Sequence, residues 1–370
     1  MLGFVMQWDQ LIGHQQQKIW FQRALAKKRL ASSFLFVGPD GIGKRTFARL
    51  LAKSLLCGRA SPDRLDACGS CEDCAQVDAS THPDLIELAK PEGKSDLPLE
   101  LLIGSPEKRM REGLCYEINL RPYGGRRKVA IIDDADFINQ AGANSLLKTL
   151  EEPPDDSVMI LIGSSLQSQL PTIRSRCQIV LFQPLTSQQL TELLVRQLVL
   201  QVAPSKLEIA ELARSSGGSL TIAKQLADEQ LKEFRDGLYA QLSLDRVPLL
   251  DLAKSFGAIV DAAGKEAKSK RDRMKQIFSM TAEFYRSVLM ELLADSPNGS
   301  AAVGKVNGDQ EADSLTRLGR MLAGQWTTGV TGAIACWQCC LRAIEDVDKN
   351  ANQASLLQNW TAQIAQLSGR

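Results

Sequence analysis

Residues Phe34 to Thr46 run from an apolar stretch into a Gly-rich turn and then into a helix that starts at Lys44. The chemistry of such a turn is phosphate binding. Its backbone N–H groups converge on anionic oxygens, and the helix N-terminus adds positive potential. Gly38, Gly41 and Gly43 let the backbone approach closely, and Lys44 is placed to reach the outer phosphates of a nucleotide. In a magnesium-using loop the next residue is Ser or Thr, whose hydroxyl holds the ion. Here it is Arg45, and Thr46 arrives one position late, about 100° further round the helix. The scaffold of a nucleotide switch is present with one metal-holding part out of place.

A second apolar run, Val129–Ile132, ends in Asp133 and Asp134. An acid at such a strand end organises Mg²⁺ in phosphate-loop ATPases. A following carboxylate, usually Glu, orients the attacking water, and Asp134 is one methylene shorter. A displaced base costs orders of magnitude in rate. The plain alternative is an acidic strand end that caps the next helix. Ser164 and Ser165 end a later strand, where they either contact a terminal phosphate or simply open a loop. Arg176, within Ser175-Arg176-Cys177, suits a guanidinium offered across a subunit boundary to neutralise transition-state charge. Taken alone, it reads first as a surface Arg in an ion pair.

Cys57, Cys68, Cys71 and Cys74 follow a C-x10-C-x2-C-x2-C spacing. Four thiolates suit tetrahedral Zn²⁺, and a closed four-sulfur site is structural rather than catalytic. The polar segment between the first two cysteines has little to pack, so a metal would supply its order. Free cysteines, a disulfide pair or an iron–sulfur cluster are the alternatives. His82 reads as part of the Thr81-His82-Pro83-Asp84 turn, and Cys115, Cys336, Cys339 and Cys340 read as buried apolar residues.

The elements that must position these groups alternate. Strand patterns lie at Phe34–Val37, Asp84–Leu88, Val129–Ile132, Val158–Ile162 and Ile179–Phe182, with helices over Lys44–Leu56, Glu107–Ile118 and Ala141–Glu151 between them. Near-continuously apolar strands separated by helices imply a parallel sheet covered on both faces. An amphipathic helix precedes them within Trp8–Leu30. After Phe182 the chain reads as helix after helix, interrupted near 294–312, where Ser, Pro, Asn, Gly and Asp cluster as a flexible loop. The chain has 370 residues, 44 basic against 43 acidic, so no global field draws it to nucleic acid or membrane. No apolar run approaches the roughly 20 residues of a membrane span. Nine grouped cysteines and no signal-peptide pattern fit a reduced, cytoplasmic protein. The basic runs Lys27–Arg29, Arg126–Lys128 and Lys265–Lys275 read as solvated faces or as non-specific phosphate contacts.

In order, Gly38–Thr46, the four cysteines, His82-Pro83-Asp84, Val129–Asp136, Leu147–Pro154 and Ser175-Arg176-Cys177 resemble the clamp-loader branch of the AAA+ superfamily, more narrowly its delta-prime type. The resemblance is specific over residues 1 to about 225 and beyond that rests on helical character and length. It implies an α/β parallel-sheet, P-loop-type AAA+ domain over 1–185 with an inserted four-cysteine zinc module over 57–74. A helical lid over 186–242 and an all-α collar over 243–370 would follow, the collar joining five subunits in a ring. It further implies that Lys44 is the phosphate-loop lysine, Asp133 the metal-organising acid, and Arg176 a trans-acting finger. The implied partners are gamma/tau-type and delta-type subunits, with the sliding clamp and primed DNA reached through the complex. A gamma/tau-type motor would carry Lys-Thr in the loop, Asp-Glu at the strand end and a sensor Arg in a Gly-Ser-x-Arg pattern. This chain has Lys44-Arg45, Asp133-Asp134 and Gly218-Ser219-Leu220-Thr221. A non-motor subunit fits these departures; ATP or ADP could still be bound, with or without Mg²⁺. The alternatives are an active gamma/tau-type ATPase and a zinc-dependent nucleic-acid-binding protein on a vestigial fold.

Overall fold

The computed structural model describes residues 7–198, 206–294 and 329–367, apart from 62, 92–93, 125, 245–247, 265–266 and 349–350. The loop expected over 294–312 lies, after its first residue, outside the described residues. The chain divides into two compact units, Met1–Lys224 and Gln225–Arg370.

The first unit is built on five parallel strands: β1 (Ser33–Val37), β2 (Leu85–Leu88), β3 (Lys128–Ile132), β4 (Ser157–Gly163) and β5 (Gln178–Leu181). Their order across the sheet is β2-β3-β4-β1-β5. Its helices are α1 (Gln15–Ala26), α2 (Lys44–Leu56), α3 (Glu72–Asp78), α4 (Leu99–Ile103), α5 (Leu114–Glu117), α6 (Gln140–Glu151) and α7 (Pro171–Arg174). α8 (Ser187–Leu198), α9 (Lys206–Ser215) and α10 (Leu220–Leu226) follow.

Strand side chains alternate between two cores, as a pleated sheet requires. Phe34, Phe36, Val129, Ile131, Val158 and Ile160 face one side with Phe21, Phe47 and Phe182. Leu35, Val37, Ala130, Ile132, Met159 and Leu161 face the other with Leu102, Leu146 and Leu150. Both faces are covered, which is why the strands read as continuous apolar runs. Phe47 on α2 is the hub of the first core. Its ring centroid lies 5.0 Å from Trp8, 5.6 Å from Phe21, 5.8 Å from Phe36 and 5.2 Å from Phe182. Those contacts lock the helix that carries the Gly-rich loop onto β1, which lies between β4 and β5.

The helix expected over 107–118 is broken. A 3-10 turn at Pro106–Lys108 and the short α5 are separated by a segment in which Met110 and Gly113 have φ of +60° and +85°. A Cβ on Gly113 would lie 2.6 Å from the backbone N of Gly104, so this glycine is demanded by close backbone approach. Periodicity does not reveal such an approach. Within residues 185–223 a small separate core forms from Leu185, Leu190, Leu194, Ile209, Ala213 and Ala223.

The second unit is helical: α11 (Glu229–Leu242), α12 (Leu249–Ala262), α13 (Ala267–Ala294), α14 (Gly329–Asp348) and α15 (Gln353–Leu367). Phe256, Phe278 and Trp360 pack edge-on or tilted at its centre, with the Trp360 ring centroid 5.4 Å and 5.2 Å from the two phenylalanines. Cys336, Cys339 and Cys340 are buried in this core, and burial pushes their thiols up. They act as apolar side chains. Trp360 is thereby assigned to the core of its own unit, and Trp337 packs half-buried against it. Among the described residues no helix is long and apolar enough to cross a membrane.

Candidate functional site

The Gly-rich loop connects β1, which lies between β4 and the edge strand β5, to α2. Gly38 admits no side chain, because a Cβ there would sit 2.3 Å from the Phe182 carbonyl oxygen. Gly41 and Gly43 hold φ of +74° and +100°, the left-handed region that glycine adopts without cost. Among the described residues the backbone N–H groups of 40–46 meet no acceptor in the chain, leaving a row of donors at the start of α2. Lys44 is buried, and its ammonium donates to the Gly38 carbonyl, to Pro39 O at 2.7 Å and to Asp40 Oδ1 at 3.5 Å.

Arg45 does not point idly into solvent. Its NH1 lies 3.4 Å from Oδ2 of Asp133 at the end of β3. Strand-end acid and loop are therefore joined through a guanidinium, and Thr46 takes no part. Burial and the neighbouring Asp134 raise the Asp133 carboxyl above the usual carboxylate range, while Arg45 opposes the rise. Asp134 sits at φ +57° and its Oδ2 accepts from Lys90 N–H at 3.3 Å. The second acid is thus bound to the end of β2. Mg²⁺ does not fit the set as it stands: its hydroxyl ligand is replaced and the remaining acid already faces a cation.

Two neighbours close the loop, and the first, His14, had no sequence signal. His14 donates Nε2–H to Ile42 O at 2.7 Å, and its burial lowers its pKa. The Leu220 N–H, at the start of α10, donates to Gly41 O at 2.9 Å. A Cβ on Gly41 would meet Ser219 Oγ at 2.3 Å and Thr221 Oγ1 at 2.7 Å, so the Gly218–Thr221 turn lies against the loop. Ser164 and Ser165 serve loop geometry. Ser164 N–H donates to Asp136 Oδ2 at 2.8 Å, and Ser168 N–H donates to Ser165 Oγ at 3.1 Å.

Arg176, after α7, is folded onto its own chain. Its Nε donates to Glu151 Oε1 at 2.6 Å and its NH2 also reaches that oxygen. NH1 donates to Thr172 O at 3.0 Å and Ser175 Oγ at 3.1 Å. The guanidinium remains 29% exposed, and Glu151 at the end of α6 is half exposed. A contact this open can exchange for another acceptor at modest cost.

The four cysteines converge. Cys57 ends α2, Cys71 caps α3, Cys74 lies inside α3, and Cys68 comes from the loop between. All four Sγ atoms lie within 4.8 Å of one another, with Cys57–Cys68 at 3.6 Å, Cys57–Cys71 at 3.7 Å and Cys68–Cys74 at 4.0 Å. A Zn–S bond of about 2.3 Å in a tetrahedron places sulfurs roughly 3.8 Å apart, so the cluster is of the size to hold a metal ion. Backbone N–H groups of Cys71 and Cys74 donate to Cys68 Sγ at 3.3 Å and Cys71 Sγ at 3.5 Å, a pattern that stabilises thiolate charge. The Ser70 backbone N–H is the main cause that lowers the Cys68 thiol to about 6, whereas burial raises Cys71 and Cys74.

The module is tied to the sheet by a residue that sequence reading placed in a basic run. Arg126 NH1 donates to Cys57 O at 2.7 Å and Ala60 O at 3.0 Å, and its NH2 donates to Gly58 O at 2.8 Å. Lys128 is buried, with Nζ 3.6 Å from Asp84 Oδ1. Asp84 in turn accepts from Tyr123 and Gly124 N–H at 2.8 and 2.9 Å. His82 accepts from Asp84 N–H at 3.0 Å through Nδ1, holding the turn before β2. The arginine missed in the sequence had no local signal, since its acceptors lie 66–69 residues away.

A family model described as DNA polymerase III, delta subunit matches residues 13–186. The chain is 35% identical over 221 residues to DNA polymerase III subunit delta' of Pseudomonas aeruginosa, covering 60% of this chain and 62% of that one. It is 38% identical over 176 residues to the delta' subunit of Bacillus subtilis, covering 47% and 49%. To the gamma/tau subunit of Mycoplasma genitalium it is 28% identical over 262 residues, covering 69% of this chain and 39% of that one. The chain therefore spans about half to three fifths of the length of the delta' relatives it matches. Through residues 13–186, which carry its Gly-rich loop and cysteine cluster, the chain is similar to the DNA polymerase III delta family model and to the delta' subunits of these bacteria.

Proposed function

We propose that this chain is a non-motor, stator-like subunit of a bacterial DNA polymerase III clamp loader. It would assist ATP-driven loading of the sliding clamp onto primed DNA, in the cytoplasm, within a pentameric ring of gamma/tau-type and delta-type subunits. Residues 1–185 would form the AAA+ domain, 186–242 the lid and 243–370 the collar. The observation that carries this reading is the Arg45–Asp133 pair, which occupies the two positions that hold magnesium in a working ATPase. Asp134 bound at Lys90 supports it, because a carboxylate held there does not orient water at the loop. Lys44 and the glycines keep the means to hold ATP or ADP without hydrolysing it. The four cysteines would hold structural Zn²⁺.

Arg176 is the residue assigned to a neighbour's site. On docking it would exchange Glu151 for the phosphates of the adjacent motor subunit. The test is a loader reconstituted with Arg176→Ala, assayed for DNA-dependent ATP hydrolysis. A finger is worth about 10³–10⁵ in turnover at the site it serves, so that site's share of hydrolysis should vanish. Unchanged turnover removes the finger role. Sustained Mg-ATP hydrolysis by the isolated chain, abolished by Lys44→Ala, would establish the motor reading in its place.

A further inference from the structure

The loop and the strand-end acid disagree with the ion that this kind of site normally uses. A magnesium-dependent loop offers a hydroxyl from the second residue of its helix, and the acid across from it completes the metal's surroundings. Here the second residue is Arg45, whose NH1 stands 3.4 Å from Asp133 Oδ2. The guanidinium is permanently charged and carries five N–H donors, of which the acid takes a minority. Arg45 is 53% exposed, so its remaining donors are accessible at the mouth of the loop. Beside it lie the buried Lys44 and the row of N–H donors over 40–46.

Charge points the same way. In the usual site a dication and one carboxylate leave one net positive charge beside the lysine. Here a monocation and one carboxylate leave none, and the lysine itself faces Asp40 Oδ1 at 3.5 Å. A magnesium–nucleotide complex would bring a dication against Arg45 while finding Asp133 already engaged. A nucleotide without metal meets no such conflict and gains donors from Arg45.

We infer that the pocket takes a nucleoside di- or triphosphate free of divalent cation, with the Arg45 guanidinium standing where the ion would be. This rests on the reading, proposed above, that the loop holds nucleotide, and it specifies the form that nucleotide takes. The consequence is a static, non-hydrolysed ligand whose occupancy does not follow the magnesium level.

The test uses the full chain and fluorescent ADP and ATP analogues, titrated once in excess EDTA and once in millimolar Mg²⁺. Saturable binding in EDTA is expected, with affinity unchanged within about twofold or weakened on adding Mg²⁺. Lys44→Ala should weaken binding at least tenfold in both buffers, which locates the ligand at the loop. Arg45→Thr should convert the site, binding at least tenfold tighter with Mg²⁺ than without. Asp133→Asn, nearly isosteric, keeps the folding question separate. It should weaken binding several-fold in EDTA, because Arg45 loses its anchor, and should show no gain from Mg²⁺. Wild-type binding that requires Mg²⁺, or an Arg45→Thr variant as insensitive to Mg²⁺ as the wild type, overturns the inference while sparing the nucleotide reading. No saturable binding in either buffer overturns both.

Discussion

Consider removing the zinc proposed for the cysteine cluster, by chelation or by Cys68→Ser. Cys68 is the exposed member of the four, so its replacement takes little packing with it. The segment that depends on the cluster is 58–70. Holding about 13 residues in one backbone conformation costs roughly 13–26 kcal/mol in chain entropy. Within the chain the segment is held by the Arg126 bonds to Ala60 O and Gly58 O and by Gly58 N–H to Asp73 Oδ2 at 2.7 Å. Three charge-assisted hydrogen bonds at about 1.5–3 kcal/mol each supply roughly 5–9. The buried Leu65 adds about 2. Structural zinc contributes about 10–16 kcal/mol in small zinc domains, enough to close the difference. Without the metal, 58–70 should open by itself. α3 should stay docked, because Arg49 NH2 donates to Val77 O at 2.6 Å and Lys53 Nζ lies 2.6 Å from Asp78 Oδ2. Hydrogen exchange with and without chelator reads this directly, after a metal assay of the purified chain. Expected is fast exchange confined to 58–70, with the sheet and residues 75–80 still protected. Retained protection of 58–70 in the metal-stripped chain would refute the reasoning, as would collapse of the whole sheet unit.

Phe47→Ala should destabilise the sheet-bearing unit by about 3–5 kcal/mol, since it empties the centre of an aromatic cluster behind the loop; urea denaturation measures it. Arg126→Ala should loosen the cysteine module and cost about 4 kcal/mol of stability or more, since three charge-assisted bonds at about 1.5–3 kcal/mol each are lost. Arg127→Ala should not, so a shared phenotype in the two variants would argue for a charge effect instead. His14 supplies a pH dependence. Its pKa is lowered from 6.5 chiefly by burial, so the folded chain binds fewer protons than the unfolded one below that value. Its contribution is present above pH 6.5 and is lost as the pH falls toward the depressed folded value. The melting temperature of His14→Gln should therefore change less than that of the wild type between pH 7 and pH 5.

The order of residues was enough to specify the architecture of the first unit and the identity of its chemical groups. Continuous apolar strands admit burial on both faces, glycine spacing admits one kind of turn, and three cysteines at x2 spacing admit one kind of convergence. These are local constraints, satisfied within a few residues, and local patterns carry them. The broken helix at 107–118 marks where that logic ends, because Gly113 answers to Gly104 across the fold and not to its neighbours in the chain. The pairing of the charged side chains came from the folded chain alone. Arg45 with Asp133, Asp134 with Lys90, Arg126 with the carbonyls around Cys57, and Arg176 with Glu151 join residues 25–88 positions apart. A long side chain carries the same letter whether it meets solvent, phosphate or a buried carboxylate. Its partner is chosen by which strand ends and helix ends the sheet brings to one edge, and that is a property of the fold.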